Sequence, residues 1–283
     1  MQAHISFRRA TAICVAVVGL GMGSSAFAAV IYNSIPAPLP GNVPSLGYQA
    51  TQTAEFGDLI SFAAGPRSLT QVTVTMSDWA LESTYQSVGT SAGFNVPLTL
   101  SLYSVGGGNS VGSVIASRSI NSLIPWRPEA DPTCPGGTAW RDGGGTCFNG
   151  LAFNVLFDFS GVVAPNSLIY GLAFNTQTWG YNPTGASGPY NSLNFGLSTT
   201  GPSVGSNPLP DTAYWNTSTA GNYSDGGAAG VGIFRQDTDW SPYSGAIRFE
   251  AVDVPEPASF ALVGLGLAAL GFSRRRKFSL CKS

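Results

Sequence analysis

Between Leu151 and Phe159 the side chains of Leu151, Phe153, Val155, Phe157 and Phe159 are large and apolar at every second position. Only an extended strand places positions i, i+2 and i+4 on one face, so this stretch must lay its stripe on a core as a strand, and its density predicts a central one. The same period runs through Leu69–Met76, where Val72, Val74 and Met76 alternate with Thr73 and Thr75, and through Pro97–Val105, where Leu98, Leu100 and Leu102 oppose Thr99, Ser101 and Tyr103. Ser167–Asn175 repeats it with Leu168, Tyr170, Leu172 and Phe174. Gly106-Gly107-Gly108-Asn109 reads as a turn, and Val111–Ile120 as the returning strand of a hairpin. Leu193–Leu197, Val231–Arg235 and Ala246–Val252 bring the set to about eight or nine strands. No long amphipathic helix intervenes. Half-buried strands with polar outer faces must pair two sheets around one core, so the expected fold is all-β: an antiparallel β-sandwich, of which the jelly roll is one form.

Two long stretches interrupt the strands. The first, 121–150, holds Trp126, Trp140 and the pair Cys134 and Cys147. The second, 176–230, holds Trp179, Trp215 and several tyrosines among Gly, Pro, Ser and Asn. Long aromatic loops on a β-scaffold are where recognition sits, since exposed rings stack on sugar C–H groups while Asn and Asp bond the hydroxyls. Trp126, Trp140, Trp179, Trp215 and Trp240 are therefore the candidate glycan-binding residues; the competing reading is that these rings pack the loops onto the sandwich. Asp237 and Asp239 supply alternate carboxylates near a strand end and suit a structural calcium ion, against the alternative of a solvated acidic loop. No other cofactor is expected. A glycosidase needs only two carboxylates, and Glu55, Asp58, Asp78, Glu82, Glu129, Asp158 and Glu250 form the pool, none of them in a recognisable motif.

The two ends of the chain are of different composition. Arg8 and Arg9, an apolar stretch from Ala10 to Gly23, and Ala26-Phe27-Ala28 form a secretory signal peptide, residues 1–28, with cleavage by signal peptidase before Ala29. At the other end Val254-Pro255-Glu256-Pro257 precedes an apolar run from Ala258 to Phe272 and then Arg274-Arg275-Arg276-Lys277. A translocating chain that stops in a membrane with its cations in the cytoplasm has this order. The run of 15 residues makes about 22 Å of helix against about 30 Å of hydrocarbon. It is a short transmembrane helix, suited to transient insertion in the inner membrane. The order and the VPEP residues resemble the PEP-CTERM sorting signal of Gram-negative bacteria, over residues 254–283 only. The resemblance implies processing by a membrane-embedded, exosortase-like protease and delivery to the cell surface or extracellular matrix.

Removal of both signals limits the chemistry of the domain between them, residues 29–253. The only histidine, His4, leaves with the signal peptide, and both lysines, Lys277 and Lys282, leave with the tail. Ser-His-Asp and Cys-His nucleophilic machinery, His-ligated zinc and Schiff-base chemistry are excluded in what remains. A chain ending near Pro257 holds six arginines against all fifteen Asp and Glu, a formal −9, which disfavours nucleic acid and anionic lipid as partners of the domain as a whole. Cys14 and Cys281 leave as well, and Cys134 and Cys147 in an exported domain predict one disulfide. The expected function is that of a non-enzymatic surface or exopolysaccharide-matrix protein with a structural or adhesive role; the alternative is a carbohydrate-binding module for matrix polysaccharide, with a glycoside hydrolase third.

Overall fold

The computed structural model describes residues 28–85, 89–176 and 192–253, together with Gly266. In chain order the strands are β1 (Ala29–Asn33), β2 (Ser45–Gly47), β3 (Thr53–Ser61), β4 (Ser68–Asp78), β5 (Phe94–Val105), β6 (Val111–Ile124), β7 (Trp140–Arg141) and β8 (Cys147–Phe148). They continue with β9 (Leu151–Asp158), β10 (Ser167–Phe174), β11 (Leu193–Ser198), β12 (Thr212–Thr217), β13 (Arg235–Thr238), β14 (Ser244–Gly245) and β15 (Ile247–Val252). One four-residue helix, Glu82–Tyr85, and three short 3-10 turns complete the described elements. All strand pairs are antiparallel.

The strands form two large sheets and a two-stranded ribbon. One sheet runs β1-β15-β4-β11-β14, with β2 also paired to β11 and β9 also paired to β4. The other runs β13-β12-β3-β10-β5-β6, and β7 pairs with β8 alone. Both large sheets supply one core: Val72, Val74, Met76, Phe195, Ile247 and Phe249 from the first meet Phe56, Ile60, Leu98, Leu100, Leu102, Tyr170 and Leu172 from the second. Rings cross between the sheets, with Phe56 on Phe195 at 5.4 Å and Phe62 on Phe249 at 5.2 Å. The outer face of the six-stranded sheet carries a second, smaller cluster of Leu59, Ile169 and Tyr214, packed by Tyr103, Leu209 and Phe234.

The expected hairpin is present: β5 and β6 pair from Phe94↔Ile124 to Val105↔Val111 around a turn in which Gly108 and Asn109 both have positive φ. Its outer face is laced by hydroxyl pairs, Thr99 with Ser119 at 2.8 Å and Ser101 with Ser117 at 3.0 Å. Three expectations need correction. β9 is a strand but not a central one, because among the described residues it pairs only with β4; Val155 and Phe157 are buried while Leu156 is exposed. The segment expected at Val231–Arg235 becomes a strand only from Arg235, since Gly230 and Gly232 have positive φ and Val231 and Ile233 are exposed. Finally, β1, β2, β3 and β12 add to the expected set, so that 192–230 is largely strand and turn rather than one loop.

The signal peptide through Phe27, Ala26 included, lies outside the described residues, as do Val254, Pro255, Glu256 and Pro257, Arg274, Arg275, Arg276 and Lys277, and the apolar run apart from Gly266. Ala28 is exposed and Ala29 begins β1. Among the described residues no helix is long and apolar enough to cross a membrane.

Candidate functional site: an aromatic cleft at one edge of the sheets

The two lateral edges of the paired sheets are finished differently. On one side Arg118 of β6 reaches across to β9, donating from Nε to the Asp158 carbonyl at 3.1 Å with its guanidinium 5.4 Å over the Phe159 ring. On the other side β12 and β13 meet Leu46 of β2 and the Trp240–Tyr243 turn around a cleft of about 400 Å³.

The cleft is built on Trp215. Strand alternation turns this ring to the inner face of β12, where it is buried, and its Nε1–H donates to Asp237 Oδ2 at 2.9 Å. The other carboxylate oxygen of Asp237 accepts the Ser224 amide at 3.1 Å and the Ser224 hydroxyl at 2.6 Å. Edge-on contacts fix the ring further, to Tyr223 at 5.5 Å and to Trp240 at 5.0 Å, and Trp240 in turn packs on Phe56 at 5.0 Å. Tyr223 is clamped from outside by Arg235, whose guanidinium lies 3.9 Å over its ring and pairs with Asp225 at 2.7 Å. That hydrogen bond from Arg235 holds the Asp225 carboxyl below its ordinary range. The turn beyond β13 is tied down by the Ser241 amide on Asp211 Oδ1 at 3.1 Å and the Tyr243 amide on the Trp240 carbonyl at 2.7 Å. It leaves Tyr243 40% exposed at the cleft mouth. Asn222, Thr238 and Asp239 form the polar rim.

The sequence-derived candidates therefore divide. Trp215, Trp240, Asp237 and Asp239 come together here. Trp215 is structural support rather than a stacking platform, because its ring is buried and its Nε1–H is spent on Asp237. Trp140 is also buried, its Nε1–H on the Gly150 carbonyl at 2.7 Å and its ring 5.6 Å from Phe148. Trp126 packs on Phe94 at 4.8 Å and donates to the Thr90 carbonyl at 2.7 Å. Trp179 lies outside the described residues. The calcium reading of Asp237 and Asp239 is weakened by the geometry: both line the cleft, but Asp237 is buried with its two oxygens accepting from Trp215 and Ser224, while Asp239, at φ 66°, is exposed. Among the described residues no three of His, Cys, Asp and Glu are grouped to hold a metal.

Two residues of the exposed aromatic surface escaped sequence reasoning. Tyr243 follows a turn rather than a periodic run, and Trp79 lies just past the end of β4. Trp79 is 42% exposed, and its indole is braced by Nε1–H on Ser77 Oγ at 3.0 Å, with Ser77 donating to Asn42 Oδ1 at 2.7 Å. Its signal was a tryptophan one step past a strand of period two, where a ring leaves the packing of the sheet.

The carboxylate pool is scattered. Glu55 and Asp58, three apart on β3, fall on opposite faces. Glu55 accepts the Tyr103 hydroxyl at 2.7 Å, and burial pushes its carboxyl up to about 7. Asp58 faces the core, takes Asn207 Nδ2 at 2.9 Å, and is pushed well above its ordinary range by burial. Asp78 ends β4 in the other sheet, fully buried; its oxygens face the Trp79 and Ala80 amides without closing a good hydrogen bond, and desolvation pushes it up to about 8. Glu82 is half-buried, Glu129 and Asp158 are exposed, and Glu250 pairs with Arg248 at 2.9 Å.

The expected disulfide is formed between Cys134 and Cys147, 13 positions apart. It closes the insertion over the β7–β8 ribbon, where Arg141 also binds Asp131 Oδ2 at 2.9 Å and the Gly145 carbonyl at 2.6 Å.

No curated protein and no solved structure matches the chain. Residues 253–277 match the family model of the PEP-CTERM protein-sorting motif, which begins one residue after β15 ends. The chain thus carries, directly behind its last strand, the sorting motif of exported proteins that exosortase-type enzymes process at a membrane.

Proposed function

We propose that the chain is exported, cleaved at both ends, and delivered to the cell surface or exopolysaccharide matrix as a β-sandwich protein with a non-enzymatic, structural or adhesive role. The observation that carries this reading is the junction at residue 253, where a strand held inside a sheet ends and the sorting motif begins. A domain without His or Lys, whose buried carboxylates point to different faces, is consistent with a role other than catalysis. Mass spectrometry of the secreted protein should find an N-terminus at Ala29 and a C-terminus near Pro257. Recovery of an intact peptide running through Arg274–Lys277 would sink the processing claim.

The aromatic cleft favours a second reading, recognition of a matrix polysaccharide. Tyr243 and the open part of Trp240 give stacking surface, and Asn222, Thr238 and Asp239 give hydrogen-bonding groups on a pre-formed frame. Tyr243→Ala should abolish retention in affinity electrophoresis through a binding polysaccharide while leaving the melting temperature unchanged. Retention equal to that of the unaltered protein would remove the cleft from consideration.

A further inference from the structure

Both ends of the folded chain leave from the same pole. β1 and β15 are neighbours, with Ala29 opposite Ala251 and Val30 opposite Glu250. Val252 stands opposite Ser68, the first residue of β4, and Ser68 also bridges to Val163. The β5–β6 turn, Gly107–Asn109, belongs to this pole too, since Tyr103 pairs with Ile169 just after β10 begins at Ser167, which itself faces Ser61. The disulfide-bonded insertion lies at the other pole. It joins the end of β6, where Ile124 faces Phe94, to the start of β9, where Leu151 faces Asp78 at the end of β4. The 11 residues of β4 separate the poles by about 33 Å.

The geometry points to the terminal pole as a surface that docks on phospholipid headgroups while the precursor waits at its processing enzyme, with the insertion held outward. This rests on the sorting reading above. Three features converge. Val163 is 65% exposed, the most exposed of the large apolar side chains described, and Val30 beside the chain start is 39% exposed. Arg67, anchored through Asn166 and the Gly65 and Pro66 carbonyls, adds a guanidinium for lipid phosphate in a domain that is otherwise strongly acidic. Only Asp253–Pro257 separate β15 from the apolar run, a tether of at most about 20 Å. That is shorter than the domain, so the pole that bears the tether stays at the membrane.

The test uses the full-length precursor with Cys14→Ser and Cys281→Ser, in vesicles of phosphatidylethanolamine and phosphatidylglycerol that include a headgroup-nitroxide lipid. A fluorophore is placed at Gly107→Cys or at Gly143→Cys, both open positions where an added side chain meets nothing. The 107 label should be quenched several-fold more strongly than the 143 label, and Val163→Asp should lower quenching at 107. Equal or reversed quenching overturns the proposed orientation. Unchanged quenching at 107 in Val163→Asp overturns docking, leaving the tether alone to hold the pole near. Failure of the precursor to float with the vesicles refutes instead the sorting reading on which the proposal stands.

Discussion

Raising the pH from 5 to 8 should destabilise the mature domain, and Glu55 accounts for a defined part of the loss. Its carboxyl lies on the outer face of β3, so close to Gly171 that a Cβ there would come within 2.2 Å of Oε1. Burial lifts its pKa from 4.5 to about 7, with the Tyr103 hydrogen bond pulling the other way. In the unfolded chain the acid ionises near its ordinary value, whereas in the folded chain it keeps its proton until about 7. Between those values the folded state binds more protons, so stability falls as pH rises. The contribution is complete below about 4.5 and gone above about 7; at 1.36 kcal/mol per pH unit the loss is on the order of 3 kcal/mol. Glu55→Gln keeps the volume and an acceptor for Tyr103 but cannot ionise. Denaturant titrations of the mature protein at intervals from pH 4.5 to 8 should show the variant losing about 3 kcal/mol less than the parent. Asp78 and Asp58 act in the same direction, so some slope survives in the variant. Parallel pH profiles for parent and variant would refute the assignment to Glu55.

Other perturbations read other parts of the fold. Replacing both Cys134 and Cys147 by Ser frees a loop of about fourteen residues and should cost about 3 kcal/mol, measured as proteolytic nicking confined to 125–150 before the rest of the domain yields. Gly57→Ala would drive a Cβ to 1.6 Å from the Tyr170 carbonyl oxygen; expression as aggregate, or a loss of at least about 3 kcal/mol, is expected. Trp215→Ala removes the ring on which the cleft is assembled and should cost about 3–5 kcal/mol in denaturant titration, in contrast to the surface change at Tyr243.

Strands were legible where one face meets the core and the other meets water. That is the case for the β5–β6 hairpin, whose Leu98, Leu100 and Leu102 are fully buried while Thr99 and Ser101 are not. β3 was missed because both of its faces are covered: the cluster around Leu59, Ile169 and Tyr214 buries the outer side, so Glu55, Gly57 and Asp58 interrupt any visible period. β12 escaped for the same reason, being buried at five of its six positions. The stripe on β9 reported which face is buried, but not how many neighbours the strand has. In the cleft, chemistry was legible and roles were not. Composition nominated Trp215 and Asp237, yet only register shows that they satisfy each other inside the sheet rather than face a ligand.

The position of β15 links the fold to the handling of the chain. This strand is not an edge: β1 lies on one side and β4 on the other. Its Ile247, Phe249 and Ala251 are wholly buried, and Phe249 touches the rings of Tyr32, Phe62 and Tyr170. A cut upstream of Ile247 would therefore strip a central strand and should unfold the domain, since loss of one such aromatic alone costs about 3–5 kcal/mol. A cut beyond Asp253 removes no residue of the described core. A protease that acts within the sorting motif is therefore expected to leave the described core whole wherever in that motif it cuts. The same placement explains why the sequence changes character so abruptly at this point. The alternation of Ile247, Phe249 and Ala251 serves the sheet, whereas Pro255 and Pro257, inside the matched motif, lack the N–H that a central strand donates.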